Sequence, residues 1–232
     1  MAMSTSWRRL VLFDIDGTLL SADRSGYEAL ERSVIEVLEA PRGLEGIRLD
    51  GNTDLNALRQ ISARDGTPFP SPDRLARFKA RYAEILAAGI QGRGHLKPGV
   101  ADLLQRLSAH PDVCLGLVTG NFREGAQIKL SRFGIAEHFR VGAFGCEDPE
   151  RAELIRRAVR RAGALRGQPV PADEVIMVGD TINDITASQA AGVRVLAVAT
   201  GAVPLARLAA AAPTWVLPDL ADAAAVEHLV LS

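Results

Sequence analysis

The stretch from Val11 to Leu20 constrains the fold more than any other part of the chain. It begins with an apolar run that leads directly into Asp14, Asp16 and Gly17. An apolar run followed by a turn residue predicts a strand buried on both faces, as in parallel sheets. Asp14 would then lie at the carboxyl end of that strand, which is where open α/β sheets bind their ligands.

The two aspartates of this stretch are separated by one residue. In extended backbone alternate side chains point to the same side, so the carboxylates of Asp14 and Asp16 would lie a few ångströms apart. Carboxylates this close favour either a bound divalent cation or a raised pKa on one of them. Gly17 can adopt the positive φ that a sharp exit from the strand requires.

From Pro98 onward the sequence alternates between helical and strand patterns. The predicted strands are Val113 to Val118, Val141 to Phe144, Glu174 to Val178, Val193 to Val198 and Thr214 to Leu217. The predicted helices are Pro98 to Ser108, Arg123 to Phe133, Arg151 to Ala162, Asp184 to Ala191, Leu205 to Ala211 and Ala221 to Leu231. This alternation predicts an α/β fold with a doubly wound, Rossmann-like parallel sheet and right-handed crossovers.

Residues 21–95 interrupt this alternation and contain helical patterns without a convincing buried strand. The predicted helices of this segment are Gly26 to Leu38, Asp54 to Ala63 and Asp73 to Ala88. We therefore expect a core domain formed by residues 1–20 and 96–232, with an α-helical domain inserted at residues 21–95. Flexible residues flank the insert, from Ser21 to Gly26 and from Gly89 to Gly94, and predict hinges.

Composition excludes several classes of function. The 232 residues are 47% hydrophobic and 24% charged, which is typical of a globular protein, and the formal net charge is −1. Such a balance gives no overall attraction to nucleic acid or to anionic membranes, so we expect neither as a partner. Cys114 and Cys146 are too few for a disulfide framework. We expect a cytoplasmic protein that is a monomer or a homodimer.

A hydroxyl and two small residues follow the predicted strand Val113 to Val118, namely Thr119, Gly120 and Asn121. At the carboxyl end of a strand, this hydroxyl and the backbone amides that begin the next helix can converge on an anion. The same residues can also end a strand and cap a helix without binding anything. The pattern alone leaves both interpretations open.

A second pair of carboxylates follows the predicted strand Glu174 to Val178. Gly179 permits a tight turn, Asp180 offers a hard oxygen ligand at the strand end, and Asp184 lies about one helical turn further on. The alternative is that these are turn residues and a helix cap.

Taken in order, these motifs resemble those of the haloacid dehalogenase superfamily, whose members are mostly Mg²⁺-dependent phosphatases. The string Asp14 to Thr18 resembles its motif I, Thr119 its motif II, and Gly179 to Asp184 its motif IV. The helical insert stands where the superfamily carries its α-helical C1 cap. Two further segments look like the phosphoglycolate phosphatase-like branch: Gly51 to Asp54, and Thr119 to Asn121 followed by Lys129 and Leu130.

Motif III of the superfamily is a lysine, or less often an arginine, and here no lysine stands in the expected region. Lys97 precedes the alternating helices and strands of the core, and Lys129 lies well along the helix that precedes the expected region, so we expect Lys129 to be dispensable for catalysis. Arg151, at the start of the next predicted helix, is the candidate. Its guanidinium could bind two phosphoryl oxygens at once.

The resemblance implies roles for individual residues. Asp14 would be the nucleophile that forms an aspartyl-phosphate, and Asp16 the general acid and base. Thr119 and Arg151 would bind phosphoryl oxygens. The implied Mg²⁺ ligands are Asp14, the backbone carbonyl of Asp16, and Asp180, with Asp184 supporting them. The implied substrate-binding residues are Gly17, Gly120, Asn121, Thr53 and Asp54.

The resemblance thus predicts a Mg²⁺-dependent phosphatase that hydrolyses a small-molecule phosphate monoester of the phosphoglycolate or sugar-phosphate class. A phosphosugar mutase similar to β-phosphoglucomutase is the alternative, since it uses the same motifs and cap. A non-enzymatic binding protein on the same fold need not retain Asp14, Asp16 and Asp180 together. A dehalogenase would not need the second aspartate or the metal cluster, and a phosphonatase usually lacks that aspartate, so both rank below these.

Overall fold

The computed structural model describes residues 7–232. Within that range the strands are β1 (Arg9–Phe13), β2 (Leu20–Ser21), β3 (His95–Leu96), β4 (Val113–Thr119), β5 (Val141–Phe144), β6 (Val175–Gly179), β7 (Arg194–Val198) and β8 (Trp215–Leu217). The α-helices are α1 (Ser25–Leu38), α2 (Asp54–Asp65), α3 (Pro72–Gly89), α4 (Val100–Ala109), α5 (Arg123–Arg132), α6 (Arg151–Arg166), α7 (Ile182–Ala191), α8 (Leu205–Ala210) and α9 (Ala223–Leu231). None of these helices is both long enough and apolar enough to span a lipid bilayer.

Six of the strands form one parallel sheet in the order β5-β4-β1-β6-β7-β8. Strand β1 is central and fully buried after its first residue. Its alternate side chains enter two different hydrophobic clusters, because successive residues of a strand face opposite sides of the sheet. Val11 and Phe13 belong to one cluster, and Leu10 and Leu12 to the other.

Helices cover both faces of this sheet. On the face of Leu10 and Leu12, the cluster includes residues of α6 and α7, among them Leu154 and Ala187. On the opposite face, the cluster includes buried residues of α4 and α9. The predicted doubly wound, Rossmann-like α/β fold is therefore confirmed.

The register of the three central strands places the functional candidates at one edge. Phe13, the last residue of β1, is paired with Leu117 of β4 and Val178 of β6. The next residue, Asp14, continues this pairing by donating its backbone N–H to the carbonyl of Val178 at 3.0 Å. Asp14 consequently lies between the ends of β4 and β6, where Thr119 ends one strand and Asp180 follows the other.

The helices α1, α2 and α3 lie between β2 and β3 in the chain. The two short strands form an antiparallel pair, with Leu20 opposite Leu96 and Ser21 opposite His95. This pair adjoins the predicted hinge segments, which stay a prediction, and two residues per strand are too few to give a sequence pattern. Buried aromatic residues of α3, Phe78 and Tyr82, contact the ring of Phe122 at the start of α5 edge to face.

Two helices have bounds that differ from the predicted ones, and in both cases a helix cap sets the observed bound. Helix α7 begins at Ile182, because Thr181 and Asp184 form a reciprocal capping box at its start. Helix α6 continues to Arg166 and ends at Gly167, which adopts the left-handed conformation with φ 80°.

Candidate active site

A cavity of about 620 Å³ lies where the carboxyl edge of the sheet faces the helical insert. The strand ends contribute Asp14, Asp16, Gly17, Thr119, Gly120, Asn121 and Asp180 to its wall. Helix α6 contributes Arg151, and the insert contributes residues that include Arg24, Tyr27, Asp54 and Tyr82. The structure therefore brings the predicted residues of three separate strand ends to one cavity.

Arg151 forms the cationic centre of the site. Its Nη2 lies 3.0 Å from Asp14 Oδ1 and 2.6 Å from Asp184 Oδ1, and its Nε donates to the same Asp184 oxygen at 2.8 Å. Only 5% of its side chain is exposed. The arginine at the start of α6 thus contacts Asp14, the predicted nucleophile. This contact is the one expected of a residue that replaces the motif III lysine. Its catalytic role stays a prediction.

Two neighbours fix the carboxylate of Asp180. Thr18 donates its hydroxyl to Asp180 Oδ1 at 2.8 Å. Gly17 has a φ of 84°, and a Cβ at Gly17 or at Gly201 would overlap the Asp180 carboxylate. Glycine at these two positions therefore allows the backbone to approach the carboxylate closely, which accounts for Gly17 without requiring that it bind substrate.

Asp184 is fully buried, and both of its carboxylate oxygens are engaged. Oδ2 accepts the backbone N–H of Thr181 at 3.0 Å and its hydroxyl at 2.6 Å, and Oδ1 accepts from Arg151. Asp184 thereby caps α7 and holds the guanidinium beside Asp14.

The residues fit a hard divalent cation. Asp14, Asp180 and Asp184 each offer one carboxylate oxygen, and these atoms lie within 4.8 Å of one another. Within residues 7–232 Arg151 is the one cation in ion-pair contact with this group. Oxygen donors and excess negative charge suit Mg²⁺. The Asp16 side chain lies outside this group, so its predicted part in metal binding rests on its backbone carbonyl alone.

Burial raises the pKa of Asp14 and of Asp180 above the ordinary value of 3.8. For Asp14 the guanidinium of Arg151 opposes this rise, while the carboxylates of Asp184 and Asp16 add to it. For Asp180 the carboxylates of Asp184 and Asp14 add to the effect of burial. Without a bound cation, the cluster therefore favours protonated carboxyls.

A separate network surrounds Asp16. Asn121 donates its amide to Asp16 Oδ2 and to Thr119 Oγ1, both at 2.7 Å. Lys129 lies 2.6 Å from the same Asp16 oxygen and 2.7 Å from Asn121 Oδ1, and only 4% of its side chain is exposed. Lys129, which was not among the predicted site residues, thus lies beside Asp16, and its dispensability for catalysis stays a prediction.

The position of Lys129 had a signal in the sequence. Helix α5 begins at Arg123, and its buried residues are Gly125, Ala126, Lys129 and Leu130. A lysine at i+3 of Ala126 and next to Leu130 falls within the apolar stripe of the helix, where an unpaired charge would be costly. That cost predicts an acidic partner, which is Asp16.

The insert residues Thr53 and Asp54 bind parts of the core. Thr53 is buried, caps α2 by accepting from the backbone N–H of Asn56, and donates its hydroxyl to the carbonyl of Pro149 at 3.3 Å. Asp54 accepts the backbone N–H of Phe122 at 2.6 Å, and its own N–H donates to the carbonyl of Gly120 at 2.8 Å. Burial raises the pKa of Asp54 to about 6. Their predicted contacts with substrate stay predictions.

The charge of the carboxylate cluster predicts how the response to Mg²⁺ depends on pH. Because the folded pKa values of Asp14 and Asp180 exceed 3.8, the metal-free folded state binds more protons than the unfolded chain. The stability from these groups therefore falls as the pH rises above about 4. Mg²⁺ must displace those protons, so we expect it to raise the melting temperature more at pH 8 than at pH 5.5. Asp180→Asn should remove most of the rise, and equal rises at both pH values would contradict the assignment.

The buried position of Arg151 predicts a large effect on stability. Arg151→Met leaves buried carboxylates without their contacting cation, which should lower the free energy of unfolding by about 3–5 kcal/mol in metal-free buffer at pH 8. The loss should shrink at pH 5, because protonated Asp14 and Asp180 need no counter-charge. Denaturant titration measures both values. Arg156→Met is the matched control, since Arg156 lies on the same helix with 41% of its side chain exposed. Equal stability of the two variants at pH 8 would contradict the proposed charge balance.

Comparison with known proteins places the chain in a family. The family model for haloacid dehalogenase-like hydrolases matches residues 8–192. The phosphoglycolate phosphatase of Synechococcus elongatus is 29% identical, over 91% of this chain and 93% of that protein. The phosphoglycolate phosphatase of Rhodospirillum rubrum is 30% identical, over 83% of this chain and 80% of that protein.

Solved structures share the fold. The structure of CbbY from Rhodobacter sphaeroides in complex with phosphate matches with a TM-score of 0.69 at 21% identity, over 92% of this chain and 95% of that one. The prediction that the chain is a hydrolase of the phosphatase class is confirmed by the family model and the named relatives. Because the family model matches most of the chain, the chain belongs to the haloacid dehalogenase-like hydrolases.

Proposed function

We propose that the chain is a Mg²⁺-dependent phosphatase that hydrolyses a small-molecule phosphate monoester through an aspartyl-phosphate on Asp14. The observation that carries this proposal is the placement of Asp14 on the cavity wall, in contact with Arg151 and beside Asp180. Asp16 and Thr119 line the same cavity. The relatives named phosphoglycolate phosphatase support the phosphoglycolate class of substrate.

In the first step an oxygen of Asp14 attacks phosphorus, and the bond between phosphorus and the leaving-group oxygen breaks. Asp16 gives a proton to that oxygen, so that an alcohol leaves. Arg151 and the hydroxyl of Thr119 stabilise the charge on the phosphoryl oxygens. Asp14 and Asp180 would hold Mg²⁺, which would supply positive charge that offsets the repulsion between the nucleophile and the phosphate.

In the second step water attacks the phosphorus of the aspartyl-phosphate, and the bond to Asp14 breaks. Asp16, now a carboxylate, takes a proton from that water. Residues 21–95 act as a cap domain on the core of residues 1–20 and 96–232, and limit the access of bulk water to the cavity. This division of the chain is part of the proposal.

The position of Arg24 supports a substrate whose leaving group carries a negative charge. It lines the cavity, and its guanidinium lies 4.7 Å from the centre of the Tyr27 ring. Among the cations of the cavity wall, Arg151 and Lys129 contact carboxylates and Lys97 donates to a backbone carbonyl. Arg24 is in ion-pair contact with no carboxylate of residues 7–232. It is therefore available to a carboxylate or a second phosphate of the substrate.

A phosphate-release panel tests the proposed reaction. Phosphoglycolate, sugar phosphates and nucleotides are each assayed with and without Mg²⁺. We expect Mg²⁺-dependent release from at least one small phosphate monoester, and no turnover by Asp14→Asn, which lacks the nucleophile. Phosphoryl transfer between sugar hydroxyls, with need for a bisphosphate and little free phosphate, would identify a mutase instead. Steady-state turnover by Asp14→Asn, once deamidation is excluded by mass spectrometry, would overturn the role of Asp14.

The position of Arg24 predicts selectivity for charge. Arg24→Gln should lower kcat/KM roughly tenfold or more for phosphoglycolate, because an ion-pair contact with the leaving group is lost. Hydrolysis of 2-hydroxyethyl phosphate, whose leaving group is uncharged, should change little. Arg32→Gln is the matched control, because Arg32 lies on α1, the helix that begins directly after Arg24, and pairs with Glu36. Equal losses for both substrates would exclude Arg24 as the residue that recognises charge.

A further inference from the structure

Lys129 is held at two points beside the proposed general acid. Its Nζ lies 2.6 Å from Asp16 Oδ2 and 2.7 Å from Asn121 Oδ1. The amide of Asn121 donates to the same oxygen of Asp16 and also to Thr119 Oγ1, each at 2.7 Å. The carboxylate of Asp16 is therefore tied to the strand end that carries the proposed phosphoryl-binding hydroxyl.

Both donors bind one oxygen of Asp16. Among residues 7–232, the side-chain donors Lys129 and Asn121 reach Oδ2, and the other oxygen, Oδ1, accepts no hydrogen bond. The Asp16 side chain is 42% exposed, so burial alone does not fix its orientation. Without these two bonds, the carboxylate could rotate about its side-chain torsions.

The helical insert encloses the lysine. Gly26 lies in the first turn of α1, and a Cβ there would stand 3.0 Å from Lys129 Nζ and 3.2 Å from its Cε. Contacts this short leave no room for a side chain at position 26 unless the lysine moves. Helix α1 therefore covers Lys129 through its backbone.

We propose that Lys129 is a positioning residue, which holds Asp16 Oδ2 so that Oδ1 faces the leaving-group oxygen, and that α1 keeps the lysine in place through Gly26. The proposal rests on the proposed phosphatase function and deepens it. Proton transfer to a leaving group requires that the acid be held within hydrogen-bond distance of that oxygen. Lys129 serves that geometry and does not itself touch the reacting atoms.

The need for this positioning depends on the leaving group. An alkoxide is a poor leaving group and needs the proton, whereas the p-nitrophenolate ion leaves without one. Loss of Lys129 should therefore slow formation of the aspartyl-phosphate strongly for alkyl phosphates and weakly for p-nitrophenyl phosphate. A purely structural lysine would produce similar losses with both substrates.

A double-mutant cycle tests the link to Asp16. The wild type, Lys129→Met, Asp16→Asn and the double variant are compared in single-turnover phosphorylation by phosphoglycolate and by p-nitrophenyl phosphate. We expect Lys129→Met to lower the phosphoglycolate rate roughly 10²-fold, the scale of a misplaced catalytic group, and to add no further loss when Asp16 is already Asn. Equal losses for both substrates, or a full further loss in the double variant, would overturn the proposal.

A second variant moves the lysine without removing it, and so remains informative if Lys129→Met fails to fold. In Gly26→Ala the new methyl group displaces the ammonium, and because alanine favours the helix more than glycine, part of that cost is offset and we expect only a small change in melting temperature. We expect a selective loss of phosphoglycolate turnover. Gly89→Ala is the matched control, because Gly89 ends α3 with no atom within 4 Å of the position of its Cβ.

The outcomes separate this inference from the proposed function. If the wild type hydrolyses no phosphate ester in the presence of Mg²⁺, the phosphatase assignment fails and the inference fails with it. If the wild type is active while Gly26→Ala matches Gly89→Ala with both substrates, the phosphatase stands and the positioning role of Lys129 is wrong.

Discussion

The structure depends on a charge cluster buried at the carboxyl edge of the sheet. Asp14, Asp180 and Asp184 converge there, and within residues 7–232 Arg151 is the one cation that contacts them. Buried carboxylates are costly unless they are paired and hydrogen-bonded, so each of them needs a cation or a hydrogen-bond donor beside it. Thr18 donates to one of them, and the capping box of α7 engages another. The excess negative charge that remains is what a divalent cation would neutralise.

The two aspartates of the first strand end occupy different environments, although one residue separates them. Asp14 is buried and contacts a guanidinium, whereas Asp16 is half-exposed and contacts the ammonium of Lys129. Gly17 turns the chain sharply with a φ of 84°, directly after Asp16. Burial raises the pKa of Asp14 in the metal-free protein, so positive charge beside it is what would keep the proposed nucleophile a carboxylate. The path of the backbone thus gives the two aspartates different contacts.

The sequence predicted the strand ends well and the contacts between distant segments poorly. Three predicted strands lead into the polar residues Asp14, Thr119 and Asp180 that line the cavity, because the carboxyl ends of parallel strands share one edge. Arg151 was predictable from its place at the start of a helix. The position of Lys129 beside Asp16 was not predicted, because the lysine was judged by its distance along the chain from the expected motif III region. Its place on the buried face of α5 is the better indication. The pairing of β2 with β3 joins residues about 75 positions apart over two residues each, and no local pattern encodes it.

One segment of the insert, residues 51–54, forms hydrogen bonds with three segments of the core. The carbonyl of Gly51 accepts from Asn183 near the start of α7, the hydroxyl of Thr53 bonds the loop before α6, and Asp54 accepts from the backbone N–H of Phe122 before α5. These three core segments carry the residues that surround Asp14. Since Gly26 of the same insert also covers Lys129, any movement of the insert must break several of these bonds together. The contacts that enclose the cavity are therefore also the contacts that hold the segments around Asp14 and Asp16 in place.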